Sequence, residues 1–360
     1  MTISNLRGGE LYFIRERDVL TGEISPYVKI GLVRENEAKS SADRTQEHQT
    51  GNPRELFLHH VILSPCISYL ETTMHGRFEP WRVSGEWFNL SAADCDRAIK
   101  EATSYAAQLA PVKGQLERIE EVKVTPTDVS KLDPTEHDLE LASTYARAAL
   151  SMKAIKDVRK EIKDLILLCN QENIDVSDLG KVTFGSRPTF NEPQFKAEHP
   201  EIYSQFMKTE SEVTGAFRWE NALTNSLSLD ETNPSLAVLI DGMRQGIAGI
   251  SSKSIQPSSL IEMIFELKTH EAAATFDKDL AQAELQARCG LATGIKEICT
   301  WKRELKTEPK FDRTLFKATL PDLYDAYSAA KQVPNFHIIK KNREQGPANM
   351  LEEDVEGEDT

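Results

Sequence analysis

Residues 10–14 read ELYFI, residues 28–31 read VKIG, and residues 49–53 read QTGNP. The chain continues with LETTMH at 70–75 and GEWF at 85–88. The first two pieces are rich in the β-branched, aromatic and aliphatic residues typical of strands, and a polar segment containing a glycine separates them. This pattern predicts an antiparallel hairpin, followed by a turn at QTGNP and a helix through LETTMH.

Three strands and the helices between them make up the predicted N-terminal fold. The strands are predicted at 10–16, 26–33 and 56–63. Ser64 and Pro65 suit the cap and the first turn of the helix that contains LETTMH. We therefore predict a small α/β domain, a three-stranded antiparallel sheet with flanking helices, in a chain of overall α+β class.

In this order the pieces resemble the GIY-YIG endonuclease superfamily. They are most similar to its compact branch, found in phage DNA-binding proteins and meiotically up-regulated proteins. That branch has a Tyr-Phe-Ile strand, a Lys-Ile-Gly strand, an arginine five residues before Gln-Thr-Gly-Asn-Pro, a Glu-x3-His helix and a closing Gly-Glu-Trp-Phe. The resemblance covers residues 9–90 and implies a small α/β fold that hydrolyses phosphodiester bonds of DNA.

Three residues take the main catalytic roles that this resemblance implies. Glu71 matches the metal-binding glutamate, and a hard oxygen ligand suits Mg²⁺ or Mn²⁺. Arg44 matches the phosphate-binding arginine, since a guanidinium binds phosphate oxygens in a fork. Tyr12 matches the tyrosine that positions or deprotonates the attacking water. For each residue the alternative is an ordinary surface or packing role.

Two positions depart from the pattern in the superfamily's name. Lys29 replaces the second tyrosine and Glu10 replaces the glycine. Lysine is usual in the compact branch, where Lys29 would contact phosphate or lower the pKa of Tyr12 by its positive charge. The role of a phenol at position 29 is left unfilled. Gly31 is expected to provide backbone clearance beside the site.

Further residues have a functional and a structural interpretation of similar weight. His75 follows Glu71 by four residues, so both lie on one face of a helix, where His75 would act as an acid or base or orient Glu71. Glu86 stands where the superfamily has an asparagine or another polar group. Three arginines are candidates for a DNA groove, with solvated surface charge as the alternative: Arg34, Arg77 and Arg82.

Composition limits the classes of function. The 360 residues have a formal net charge of −14, which argues against a general nucleic-acid-binding protein because phosphate binding needs clustered basic residues. An acidic enzyme can still act on DNA where its positive charge is concentrated at the site and a metal ion supplies the rest. The five cysteines are scattered without metal-ligand spacing, and we expect reduced core thiols. No apolar run has membrane-spanning length, so we expect no membrane partner and a cytoplasmic location.

The remainder of the chain is predicted to be mostly helical and to contain a duplication. Residues 135–173 predict a long helix whose apolar stripe faces a core or, alternatively, a partner in a dimerising coiled coil. Residues 190–206 then return as residues 311–327, with Phe195-Lys196-Ala197 matched by Phe316-Lys317-Ala318. The repeated unit is similar to a segment of phage recombination exonucleases of the YqaJ kind.

The predicted organisation has five parts. These are a nuclease domain at 1–90, a helix and linker at 91–134, repeat units at 135–222 and 223–343, and an acidic disordered tail at 344–360. The resemblance therefore implies a metal-dependent DNA endonuclease of the GIY-YIG type, in a phage or phage-defence setting, with a helical region for target or partner binding. The alternatives are a catalytically silent DNA-binding protein with the same fold, and an interaction scaffold built on the repeats.

Overall fold

A computed structural model describes Ile3 and residues 7–172, 180–220, 227–248 and 257–338. Its N-terminal part is a five-stranded antiparallel sheet. The strands are β1 (Gly9–Arg17), β2 (Ile24–Arg34), β3 (Glu55–Ser64), β4 (Arg82–Ser84) and β5 (Trp87–Asn89). Their order in the sheet is β3-β1-β2-β5-β4, so the three predicted strands are neighbours and the two short strands continue the sheet beyond β2.

Helices flank this sheet as predicted. They are α1 (Ser41–Gln49), α2 (Ile67–Arg77) and α3 (Ala92–Leu109). The next helix, α4 (Lys113–Lys123), packs instead against a later helix, Pro257–Cys289. Ser40 and Asp43 form a reciprocal capping box at the start of α1. The Glu10 carboxylate adds to this cap, because it accepts a hydrogen bond of 3.1 Å from the Ser41 backbone N–H. Glu10, the departure from the superfamily glycine, thus anchors α1 to β1.

The QTGNP motif joins α1 to β3. The Gln49 carboxamide accepts a 2.7 Å hydrogen bond from the Leu56 N–H and donates one of 2.8 Å to the Arg54 carbonyl. Gly51 has φ +81°, a left-handed conformation that glycine adopts without steric cost. The motif therefore has a structural role, because it holds the end of α1 against the start of β3.

The two faces of the sheet have different environments. Leu11 and Phe13 point into the main core with α2 and α3, whereas Tyr12 and Ile14 belong to a smaller cluster on the other face. Register places Tyr12 opposite Gly31 and Ile14 opposite Lys29. Opposed residues share a face, so Tyr12, Gly31 and Lys29 lie together.

The rest of the described chain is mostly helical, which makes the whole α+β. Its helices are α5 (Glu136–Gln171), α6 (Glu192–Glu198), α7 (Pro200–Gln205), α8 (Leu229–Thr232), α9 (Pro234–Ala248), α10 (Pro257–Cys289), α11 (Arg313–Thr319) and α12 (Pro321–Ala326). Its strands are β6 (Gly180–Phe190), β7 (Met207–Thr214), β8 (Arg218–Trp219), β9 (Gly294–Ile295), β10 (Cys299–Thr300), β11 (Glu304–Phe311) and β12 (Ser328–Ile338).

The long predicted helix is α5, and its apolar stripe faces a core. Ile155 and Ile162 are fully buried in a cluster with Ile240 of α9 and Leu260 of α10. The stripe is therefore covered by helices of the same chain, in agreement with the first of the two interpretations.

The duplicated segments have the same element order and close on each other. The first copy runs β6-α6-α7-β7 and the second β11-α11-α12-β12. Strand β6 pairs with β12, and β7 pairs with β11, so each pair takes one strand from each copy. Phe190 stacks on Tyr324 at 4.9 Å between ring centroids, and the matching pair Phe311 and Tyr203 stacks at 4.6 Å. The copies are thus the halves of one unit with pseudo-two-fold symmetry, and each half contains strands that the sequence pattern does not predict.

The N-terminal part packs directly on α10. The Tyr69 hydroxyl of α2 donates a 3.2 Å hydrogen bond to the Asp279 carboxylate, and both residues are buried. One apolar core runs from Leu11 and Leu70 to Phe276 and Trp301. The five cysteines are buried free thiols, as predicted. Within the described ranges, no helix is long and apolar enough to cross a membrane. The predicted tail at 344–360 lies outside the described residues.

Candidate active site

Tyr12 occupies the middle of β1 and is only 3% exposed. A Cβ atom at residue 31 would lie 2.5 Å from the Tyr12 hydroxyl, so Gly31 leaves the space that the phenol occupies. Burial, and then the carboxylates of Glu86 and Glu71, raise the pKa of Tyr12 far above its usual value. This direction is opposite to the lowering by Lys29 considered from the sequence, because burial and negative neighbours outweigh positive charge here.

Lys29 is held by an ion pair. Its Nζ lies 2.5 Å from Oε2 of Glu86, and the lysine is only 8% exposed. Glu86 is also fixed through its backbone, since its carbonyl accepts a 3.0 Å hydrogen bond from the Ile30 N–H. Glu86 therefore couples the turn between β4 and β5 to β2.

His75 holds α2 against the same strand. Its Nε2–H donates a 2.8 Å hydrogen bond to the Ile30 carbonyl, and its ring packs on Phe88 at 5.4 Å. Burial, and then the positive charge of Arg82, lower the pKa of His75 to about 4. The imidazole is therefore neutral at physiological pH, and its bond to β2 sets the orientation of α2 one turn after Glu71.

Glu71 carries a poorly compensated charge. Within the described part of the chain, its half-buried carboxylate has no hydrogen-bond or ion-pair partner. Burial, and then the neighbouring charge of Glu86, raise the pKa of Glu71 to about 7, although Arg34 and Lys29 act in the opposite direction. A carboxylate whose negative charge lacks a partner in the protein is suited to bind a cation.

The donor set fits a magnesium-type ion. Mg²⁺ is commonly bound through one or two carboxylates, with water and phosphate in the remaining positions. The described residues contain no cluster of three or more His, Cys, Asp and Glu side chains that would enclose a metal ion. The single carboxylate of Glu71, with Glu86 close enough to raise its pKa, matches an open site of this kind.

Arg44 and Arg34 meet on one carboxylate. Nη2 of Arg44 lies 2.9 Å from Oε2 of Glu37, and Nη1 of Arg34 lies 3.3 Å from Oε1 of the same residue. Glu47 adds a second partner for Arg44 at 3.2 Å. Glu37 thus bridges the two guanidinium groups much as a phosphate would. Glu37 is not among the site residues predicted from the sequence.

The other predicted arginines differ in position. The positive charge of Arg82 lowers the pKa of both Glu71 and His75, so Arg82 lies in the same charge network. Arg77 instead pairs with Glu101 of α3 at 3.0 Å and donates a 3.0 Å hydrogen bond to the Thr269 carbonyl of α10. Arg77 therefore joins three helices, and its guanidinium is engaged there.

His48 is a further member of the site and is not among the residues predicted from the sequence. Burial is the largest cause that lowers the pKa of His48, and the positive charges of Lys29 and Arg44 act in the same direction. The negative charge of Glu86 acts in the opposite direction. It follows Arg44 by four residues, so the two share a face of α1. That spacing was visible in the sequence, but the position of α1 beside Lys29 was not.

Residues 11–103 match the family model described as the T5orf172 domain. The match runs from β1 into α3 and includes Tyr12, Lys29, Arg44, Glu71, His75 and Glu86. No curated protein and no solved structure matches the chain. The match assigns this segment to a phage-associated, nuclease-related class of domain.

Proposed function

We propose that this protein is a metal-dependent DNA endonuclease of the GIY-YIG type. The observation that carries the proposal is the Glu71 carboxylate, which is half-buried, lacks a partner among the described residues and has a pKa of about 7. It lies in one charge network with Tyr12, Lys29 and Arg44. The match to a nuclease-related domain over residues 11–103 supports the same class of function.

In this proposal Glu71 holds a Mg²⁺ or Mn²⁺ ion. When bound, the ion would neutralise charge that develops on the phosphate and on the leaving oxygen. Arg44 and Arg34 would exchange the bridging Glu37 carboxylate for phosphate oxygens of the DNA backbone. This exchange conserves the charge-assisted hydrogen bonds of both guanidinium groups.

The remaining residues would order the attacking water. The raised pKa keeps the Tyr12 phenol protonated, so its hydroxyl orients water by hydrogen bonding. His48, unprotonated at neutral pH, would accept the proton. Lys29 places its Nζ in an ion pair with Glu86 beside these groups. His75 acts as a positioning residue through the Ile30 carbonyl.

Plasmid nicking in Mg²⁺ and then Mn²⁺ tests the proposal. We expect the native chain to cut, and Glu71→Gln to cut at least about a hundredfold more slowly while retaining its DNA affinity. The matched control is Glu117→Gln on the exposed side of α4, which makes the same chemical change far along the sequence from the site. Equal cutting by the native and Glu71→Gln proteins would place the activity elsewhere.

A catalytically silent DNA-binding protein is the second candidate. It is favoured by the ion pairs that occupy Arg44, Arg34 and Lys29 in the described structure. The same assay separates the two candidates. Retention of DNA without cleavage in either metal ion, by both the native and Glu71→Gln proteins, would support binding alone.

A further inference from the structure

Glu79 is a buried carboxylate in the short 3₁₀ turn Glu79–Trp81, which joins α2 to β4. It is only 5% exposed, and a buried charge is stable only when it has partners of opposite charge. Oε2 of Glu79 lies 3.0 Å from Nε of Arg82, and Oε1 lies 3.3 Å from Nζ of Lys268 in α10. Each oxygen therefore contacts one cation, and the two cations come from opposite halves of the chain.

Arg82 is held from three directions. Its Nη1 donates a 3.1 Å hydrogen bond to the Gly85 carbonyl, and its guanidinium lies 5.2 Å from the centroid of the Phe88 ring. Glu79 makes the third contact, which is the single ion pair of Arg82 within the described residues. The carboxylate of Glu79 thus fixes this guanidinium and also neutralises its charge.

The position of Arg82 affects the proposed metal ligand. The positive charge of Arg82 reaches both Glu71 and His75, yet Arg82 forms no ion pair with Glu71 in the described structure. A guanidinium released from Glu79 could turn to the Glu71 carboxylate and take the place of a metal ion. Even without moving, an unneutralised positive charge beside Glu71 would repel a divalent cation. Both effects oppose metal binding.

Helix α10 holds Glu79 in this position. The turn Glu79–Trp81 packs on α10, and two hydrogen bonds join α2 to the helix beside Lys268. In the first, Arg77 donates to the Thr269 carbonyl at 3.0 Å, and in the second the Thr269 hydroxyl donates to the Arg77 carbonyl at 3.2 Å. The end of α2 is therefore fixed where Lys268 meets the buried carboxylate.

We propose that Glu79 is a positioning residue of the metal site, which binds Arg82 and so keeps its guanidinium from the Glu71 carboxylate. Lys268 orients the other oxygen of Glu79, so that α10 takes part in supporting the site. The inference rests on the proposed nuclease function, because Glu71 is a metal ligand only in that proposal.

Metal binding measured without cleavage tests the role of Glu79. Mn²⁺ is titrated into the full chain by calorimetry in the absence of DNA. Glu79→Gln preserves the shape of the side chain and should weaken Mn²⁺ binding roughly tenfold, because Arg82 loses its counter-charge. The matched control is Glu101→Gln, which breaks the 3.0 Å ion pair with Arg77 of α2 and should leave the Mn²⁺ affinity unchanged. Glu71→Gln should abolish the binding.

A double variant separates positioning from a general structural defect. Adding Arg82→Gln to Glu79→Gln removes the released cation and should return the Mn²⁺ affinity to near the native value. A structural defect would instead become worse with the second change. In plasmid nicking, Glu79→Gln should raise the half-saturating Mg²⁺ concentration by the same factor, whereas the rate at saturating Mg²⁺ stays near that of the native chain.

Three results would overturn the role of Glu79: unchanged Mn²⁺ affinity in Glu79→Gln, equal weakening in Glu101→Gln, and no recovery in the double variant. Thermal unfolding shows whether Glu79→Gln folds. Where it does not, Glu79→Gln is combined with Lys268→Met, which removes both opposite charges, still leaves Arg82 unpaired and should weaken Mn²⁺ binding equally. Failure of the nuclease proposal is distinguishable, because the native chain then neither binds Mn²⁺ through Glu71 nor cuts DNA.

Discussion

At the scale of single residues, the pKa of Glu71 links the proposed chemistry to stability. The value is raised from 4.5 to about 7. The folded state therefore holds the proton more tightly than the unfolded state does. Stability from the protonated carboxyl is fully present below about pH 4.5 and is lost as the pH rises through about 7.

We therefore expect Glu71→Gln to gain stability over the native protein as the pH is raised. Between pH 5 and pH 8 the difference in unfolding free energy should grow by about 1–3 kcal/mol in favour of the variant. Urea unfolding at both pH values, without divalent ions, measures it. Added Mg²⁺ should then stabilise the native protein at pH 8 and leave the variant unchanged. A difference that is constant with pH would contradict the raised pKa.

In the proposed function, Glu37 competes with phosphate for the two arginines that it bridges. Because Glu37 bridges Arg44 and Arg34, whereas Glu47 contacts Arg44 alone, Glu37→Gln should release more positive charge than Glu47→Gln. We expect Glu37→Gln to bind a short duplex several-fold more tightly at low salt, since a charge-assisted pair is worth about 1 kcal/mol. Glu47→Gln is the control with equal loss of charge. Equal affinities of the two variants would show that the bridge does not compete with DNA.

At the scale of elements, α2 is confined between β2 and α10. His75 fixes it to the strand, and Gly76 brings it close to α10, where an added Cβ would lie 2.8 Å from the Cβ of Ala272. The helix that carries Glu71 is thus positioned from both sides. Its placement depends on a segment about two hundred residues later in the sequence.

Two helical glycines should consequently respond in opposite ways to alanine. Gly76→Ala must push α2 and α10 apart and should destabilise the protein by about 1–3 kcal/mol. Gly242→Ala, at an exposed position of α9 where an added Cβ meets nothing within 4 Å, should stabilise it by about 0.5–1 kcal/mol. Denaturant unfolding measures both. Stabilisation by Gly76→Ala would show that the helices are not in close contact.

At the scale of the whole molecule, the N-terminal sheet and the later helices share a core. Leu70 and Phe78 of the N-terminal part are buried in one cluster with Phe276 and Leu285 of α10. The resemblance to compact nucleases by itself favours an independent N-terminal domain. The shared core predicts instead that the two parts of the chain stabilise each other.

A fragment ending at residue 110 tests this dependence. It keeps the sheet with α1, α2 and α3 but loses α10, so buried residues of α2 such as Tyr69 become exposed. We expect the fragment to unfold at a temperature lower by about 10 °C or more than the full chain, as measured by circular dichroism. Full retention of the melting temperature would show that the N-terminal part folds on its own.

Elements and motifs that depend only on neighbouring residues were predictable from the amino-acid sequence. The strands near Tyr12 and Lys29, the turn at QTGNP, the helix with Glu71 and His75 and the long α5 follow from local propensity, capping and periodicity. The internal repeat was visible for the same reason, since its aromatic spacing is a property of the chain. These local features were enough to identify most of the residues of the candidate site.

Tertiary structure alone decided which charges meet. The Lys29–Glu86 pair, the Glu37 bridge, the approach of His48 to Lys29 and the pairing of β6 with β12 join residues whose separation carries no sequence signal. Burial, which sets the pKa values of Tyr12 and Glu71, is likewise a property of packed elements. The physical reason is that electrostatic energy depends on distance and on the surrounding dielectric, and folding determines both.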